Sequence, residues 1–111
     1  MTAQLLDIVM DRSIAGFDWD EGNKAKCQKH GVSIAEIEHM FTSPTLHVEP
    51  DVFNSKSEKR FRAVGKTNLG RGIFLVFTFR LFDGLTFIRP ISARYMHKKD
   101  LENYEEAISR L

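Results

Sequence analysis

Gly72-Ile-Phe-Leu-Val-Phe-Thr-Phe-Arg-Leu81 is apolar at nearly every position and rich in aromatic and β-branched residues, which predicts a strand. Apolar residues on both faces place it in the middle of a sheet, with Leu75 and Phe77 among the most buried positions. Asp83-Gly84 follows at once, a pair suited to the positive φ angles of a tight hairpin turn. Leu85–Arg94 is then the returning strand. Pro90 inside it lacks an N–H and therefore requires an edge position or a bulge.

Upstream of this hairpin, Lys59–Lys66 reads as another strand, with Phe61 and Ala63 on one side and Arg60 and Arg62 on the other. Thr67-Asn-Leu-Gly70 is the connecting turn. Thr45–Glu49 is a fourth strand, and Pro50–Ser57 a polar loop. Two helices come earlier. Phe17-Asp-Trp-Asp20 is a short strand running into the first, where Asp20 caps the free amides and Glu21 suits the positive end of the dipole. Lys24, Lys26 and Lys29 fall toward its other end, and Gly31 provides a left-handed stop. Ser33-Ile-Ala-Glu36 is a capping box and Val32 with Ile37 a hydrophobic staple, opening a second helix with the stripe Ile34, Ile37, Phe41 that ends at Pro44. A final helix begins near Lys98, with Leu101, Tyr104, Ile108 and Leu111 as its buried face. Residues 1–16 are weakly patterned, and Leu5, Leu6, Ile8, Val9 and Met10 suit either a strand or helical turns. They are taken as an N-terminal extension before a single domain spanning 17–111. The expected fold is α+β: two N-terminal helices, a mostly antiparallel sheet of about four strands and a C-terminal helix, with the helices on one face.

The chain's 111 residues suffice for one core. No apolar run approaches the roughly 20 residues of a membrane span. The start carries no basic leader, and a single cysteine, Cys27, forms no internal disulfide. Both features are expected of a cytoplasmic protein with no membrane partner. Cys27 and His30 lie three apart, but two ligands alone make no metal site, and His30 before Gly31 reads as a helix-end cation. No P-loop, dinucleotide fingerprint or nucleophile elbow occurs, so no cofactor is expected.

Charge is informative in its distribution. Net charge is +1, yet residues 1–53 hold four Lys/Arg against nine Asp/Glu, residues 54–99 eleven against two, and residues 100–111 one against four. The middle segment, at +9, is the kind of footprint that attracts phosphates, although a solvated basic face balanced by acidic helices has the same composition. Its arginines fall on strands: Arg60, Arg62, Arg80, Arg89 and Arg94. A planar guanidinium binds phosphate oxygens bidentately and stays charged at any working pH. Cleavage of RNA by a 2′-hydroxyl needs charge neutralised at phosphorus and protons moved at two oxygens. Fixed cations supply the first without metal. Glu58, Tyr95 and His97 are near enough in sequence to supply the second. For Arg62 and Arg89 an ion pair is the better reading; for Arg60, Arg80 and Arg94 the pattern favours neither ion pair nor catalysis.

The ordered set Phe17-Asp-Trp-Asp20, Lys24, Lys29-His-Gly-Val-Ser33, Phe41-x-x-Pro44, Glu58-x-Arg60, Gly65, Gly70-Arg71 and Ile91-Ser-Ala-Arg94 resembles the BrnT family of bacterial toxins, over residues 17 to 106. The resemblance implies a RelE-like fold, metal-independent endoribonuclease activity that inhibits translation, and a BrnA-like antitoxin through which DNA is contacted only indirectly. Within it Glu58, Arg60, Arg80 and Arg94 match recurrent positions, and these with His97 form the expected catalytic set. Lys59, Arg62, Lys66, Arg71, Lys98 and Lys99 are the expected RNA-binding residues. Trp19, Lys24 and His30 also match, at places that suit fold stability. Two departures are Pro90, in place of an ordinary strand residue, and His97, in place of a capping Thr or Ser with Asp100 three residues on. His97 thus reads as a helix cap or as a proton carrier. The rival functions are a non-catalytic RNA- or protein-binding module and a structural subunit of a DNA-binding repressor complex.

Overall fold

The structure, a computed structural model, describes residues 14–51 and 57–109, the last three by backbone alone. The element order is β1 (Ile14–Phe17), α1 (Glu21–Gln28), α2 (Ile34–Met40), β2 (His47–Pro50), β3 (Phe61–Lys66), β4 (Gly72–Phe82), β5 (Leu85–Tyr95) and α3 (Lys98–Ser109). Five strands form one sheet in the order β1-β5-β4-β3-β2, with β4 in the middle. Leu75 and Phe77 are fully buried there, as their apolar run predicts. The tip of the β4–β5 hairpin carries positive φ at both Asp83 and Gly84.

Three expectations are corrected. The sheet has five strands rather than about four, and it is mixed, because β1 pairs parallel with β5 through Ile14↔Thr86, Gly16↔Phe87 and Phe17↔Ile88. The short strand anticipated at Phe17 begins at Ile14, so Ile14–Gly16 of the expected extension belong to the sheet. Four residues carry too little alternation to announce a strand, and the partner lies some seventy residues away. The helices also do not share one face. Phe61, Ala63 and Gly65 pair with Phe77, Leu75 and Ile73 on the core side, where Met40 of α2 packs over Gly65. Gly72 pairs with Lys66 on the other side, and a Cβ on Gly72 would meet Met96 Sδ at 2.6 Å and Leu101 Cδ1 at 3.0 Å. The start of α3 therefore covers one end of the opposite face, tied down by Tyr104, whose hydroxyl donates to the Thr45 carbonyl. The state of residues 1–13 and the burial of Ile108 and Leu111 lie outside the described residues.

Pro90 takes the bulge alternative. Pairing steps from Val76↔Ser92 to Phe77↔Pro90, leaving Ile91 as the extra residue on an interior strand. The helix caps form as read: Asp20 accepts from the Asn23 N–H, and Ser33 and Glu36 satisfy each other's amides. Asn23 does more. Its side chain, 6% exposed, accepts from the Asp20 N–H and donates to the carbonyls of Asp18 and Pro90, each donation at 2.9 Å. This one amide fastens the start of α1 to β5 at the bulge.

Candidate active site

Alternation along the strands decides what the open face presents. Arg62↔Val76↔Ser92 and Phe74↔Arg94 are paired on the side away from Ala63 and Leu75, and Thr78↔Arg89 and Arg80↔Phe87 continue that face. At its far end from α3, Glu58 lies between two arginines. Arg80 Nη1 donates to Glu58 Oε2, and Arg60 Nη2 is 3.9 Å from Oε1. Thr78, buried beneath them, donates its hydroxyl to the Lys59 carbonyl at 2.7 Å and holds the chain that carries Glu58 and Arg60 against β4. A cleft of about 720 Å³ opens over this cluster, and α1, lying beside β5, contributes Asn23 and Lys26 to its lining.

The hydrogen bond from Arg80, reinforced by the charges of Arg80, Arg60 and Arg89, holds the Glu58 carboxyl below the usual carboxylate range against the opposing effect of partial burial. Glu58 is thus an anion at neutral pH, able to accept a proton and unable to donate one. One carboxylate stands between two guanidinium groups, and all three line the cleft. Arg89 is engaged at its edge: it is 3.2 Å from Asp18 Oδ2 and 2.8 Å from Asp20 Oδ2. Arg62 pairs with Glu49. Both behave as the ion pairs the sequence favoured.

Arg94 and His97 are not part of this cluster. Arg94 stands opposite Phe74, six residues along β4 from Arg80, which at ~3.3 Å per residue is about 20 Å of strand. Its guanidinium lies 4.6 Å from the Phe74 ring centroid and 3.2 Å from Asp100 Oδ2. His97 is exposed at the start of α3, its N–H donating to Asp100 Oδ2 at 3.2 Å and its carbonyl accepting from Leu101. Its backbone has the bonding of an N-cap. Tyr95 is committed elsewhere. Its hydroxyl donates to Glu36 Oε1 at 2.6 Å, a bond that raises its pKa above the ordinary value, and Arg71 stacks 3.5 Å over its ring.

The other expected RNA-binding residues are scattered. Lys66 pairs with Glu105 at 2.6 Å, Lys59 is exposed beside the cluster, and Lys98 and Lys99 are exposed in the first turn of α3. Trp19 donates to Glu38 Oε2 at 2.9 Å, a bond between the approach to α1 and α2 that suits fold stability. Cys27 is fully buried, and burial pushes its thiol up to about 11, so it is no nucleophile. Among the described residues no group of three or more His, Cys, Asp or Glu is placed to hold a metal ion, and no helix is long and apolar enough to cross a membrane. Sequence reasoning missed Lys26 and Asn23 at the cleft. Both read as ordinary helix residues, and only the docking of α1 beside β5 brings them there.

A sheet face carrying arginines, with a carboxylate set between two of them at an open cleft, has the chemistry of a site for an anionic ligand. The family model for the ribonuclease toxin, BrnT, of type II toxin-antitoxin systems matches residues 19–100, and the chain belongs to that family. Membership gives it RNA as substrate and an antitoxin as partner. Among curated proteins nothing matches the chain.

Proposed function

We propose that the protein is a metal-independent endoribonuclease whose cleavage centre is the Glu58–Arg60–Arg80 cluster. The observation that carries this reading is a single carboxylate kept ionised by two arginines on the open end of the sheet. The scissile phosphate binds to Arg60 and Arg80. As the phosphate oxygens draw on the Arg80 fork, Glu58 loses part of its stabilisation and its basicity rises toward the ordinary carboxylate value. It then takes the proton of the neighbouring 2′-hydroxyl. The 2′-oxygen–phosphorus bond forms and the bond to the 5′-oxygen breaks, leaving a 2′,3′-cyclic phosphate. The departing 5′-oxygen takes its proton from the Lys26 ammonium, which lines the same cleft. The guanidinium groups neutralise the charge gathering on phosphorus, the part a metal ion would otherwise take.

In this reading RNA cleavage inhibits translation in the cytoplasm. A BrnA-like antitoxin covers the basic segment of residues 54–99, and DNA is contacted only through that partner. The order of helices and strands suits the RelE-like fold that the resemblance implies. The test is cleavage of labelled RNA by the purified chain with and without excess chelator. Undiminished cutting is expected, and activity lost on chelation and restored by a divalent ion refutes the mechanism. Glu58→Gln should reduce the rate about 10²–10⁴-fold, the usual range for a general base.

A further inference from the structure

The open face does not end at the cleavage cluster. Successive rows on one face of a sheet are two residues apart, about 7 Å. One row beyond Thr78, the side chains of Arg62, Val76 and Ser92 stand abreast on β3, β4 and β5, and in the next row Phe74 faces Arg94. Val76 and Ser92 are short beside their neighbours, and the surface dips over them into a cleft of about 360 Å³, which His30 and Asp51 also line. Its floor is apolar. The Arg94 guanidinium lies over the Phe74 ring at 4.6 Å and gives it a flat cationic wall. Asp51, 3% exposed, is held alongside the cleavage cluster by its N–H, which donates to the Arg60 carbonyl at 2.9 Å.

We propose that this cleft is a nucleobase subsite, receiving the base of a nucleotide that flanks the cleavage site further along the RNA chain. The proposal rests on the reading of the Glu58 end as the cleavage centre. The two arginines of the lining, Arg62 and Arg94, are already answered by Glu49 and Asp100, so a phosphate would meet paired cations, an apolar floor and the Asp51 carboxylate, and the chemistry selects a base. Bases stack on aromatic and guanidinium planes whatever their identity, which the Arg94–Phe74 wall provides. Discrimination comes from Asp51 and Ser92. A carboxylate only accepts hydrogen bonds, so it favours a base edge with adjacent N–H donors. Guanine offers two, at N1 and N2, whereas uracil offers one N–H between two carbonyl oxygens that the carboxylate repels. Guanine is therefore the preferred base and uracil the poorest.

The subsite is tested without relying on cleavage. The full chain is titrated into dye-labelled 2′-O-methyl trinucleotides, which cannot be cut, carrying one variable base between two abasic positions. Binding followed by fluorescence anisotropy should favour guanine over uracil by about 10–100-fold, the range for a hydrogen bond to a charged group, with the fully abasic form weakest. Asp51→Asn should erase most of that preference. Val76→Phe fills the cleft from its floor and should bring the guanine form down to the abasic one, with thermal unfolding checking that the variant is folded. Equal affinity for all forms, no detectable binding, or a guanine preference that survives in folded Val76→Phe overturns the subsite. A chain that prefers guanine but never cuts RNA refutes the cleavage centre and leaves the subsite standing. One that cuts RNA without base preference does the reverse.

Discussion

Glu58 and Arg80 at one end of the open face, and Arg94 and Asp100 at the other, are the same kind of pair: a strand arginine and a carboxylate in hydrogen-bond contact. Their surroundings differ. Glu58 has a second arginine, Arg60, against its other oxygen, and the chain at this end leaves a wide cleft open above it. Asp100 belongs to a helix start, where its carboxylate also accepts from the His97 N–H. The first pair has a second guanidinium beside it and opens on a cleft, whereas the second is occupied in fixing α3 to the sheet. An arginine's role on this face is thus set by what its carboxylate partner is also bonded to and by what lies open above the pair.

The largest separation between the two ends should come from alanine substitutions of their arginines. Arg80→Ala is expected to slow RNA cleavage about 10²–10³-fold, the cost of removing one preorganised cation where charge develops. Arg94→Ala should slow it about tenfold or less, through weaker base stacking. Equal losses measured on one labelled RNA would erase the distinction. Arg80→Lys should recover only part of the activity, since an ammonium cannot reproduce the bidentate fork.

The pH dependence sharpens the same contrast. Glu58 is active as the anion and is held below its ordinary value by Arg80, so the acid limb of the rate should lie below 4.5 in the intact protein. In Arg80→Ala that limb should move up toward 4.5, measured as kcat/KM against pH. For stability the sign is the same at both ends. The folded-state values of Glu58, Asp20 and Asp100 are depressed, so their stabilisation is present above the unfolded values and lost as pH falls through the folded ones. Asp20 is lowered by the Asn23 amide and by Arg89, and Asp100 by the His97 amide and Arg94. The melting temperature should therefore hold down to about the ordinary values, 4.5 for Glu58 and 3.8 for the two aspartates, and decline below them.

Asn23→Ala probes how the cleavage end is assembled. It leaves the buried Pro90 carbonyl without its side-chain donor and removes a cap partner, at a cost of about 2–3 kcal/mol. Chemical denaturation measures this, and a loss below ~0.5 kcal/mol would mean that α1 is held by its other contacts. The smallest effect belongs to His97→Ala. An exposed residue in the N-cap position contributes about 1 kcal/mol or less, and cleavage should be unchanged. A large rate loss with an unaltered melting temperature would instead give His97 a part in proton transfer and end the division between the two ends.

Local chemistry, carried by neighbours within a few residues, was legible without coordinates. The apolar run of β4, the Asp83-Gly84 turn, the caps at Asp20 and Ser33, the stop at Gly31 and the alternation that puts Arg60 beside Arg62 depend on the chain's own next residues. The +9 segment and the ordered motifs were enough to place the chain near the toxin family. What lay beyond reach depended on which distant segments meet. The parallel pairing of β1 with β5, the seating of α3 on the opposite face, and the arrival of Lys26 and Asn23 at the cleft join residues dozens of positions apart. The same limit applied to the arginines. Alternation places Arg60, Arg80 and Arg94 on one face, but only the register of β3 against β4 and β5 sets the distances, bringing Arg60 and Arg80 to one carboxylate and leaving Arg94 about 20 Å away. Strand periodicity fixes a side chain's direction from sequence alone, whereas its neighbours follow from pairing energies summed over the whole sheet.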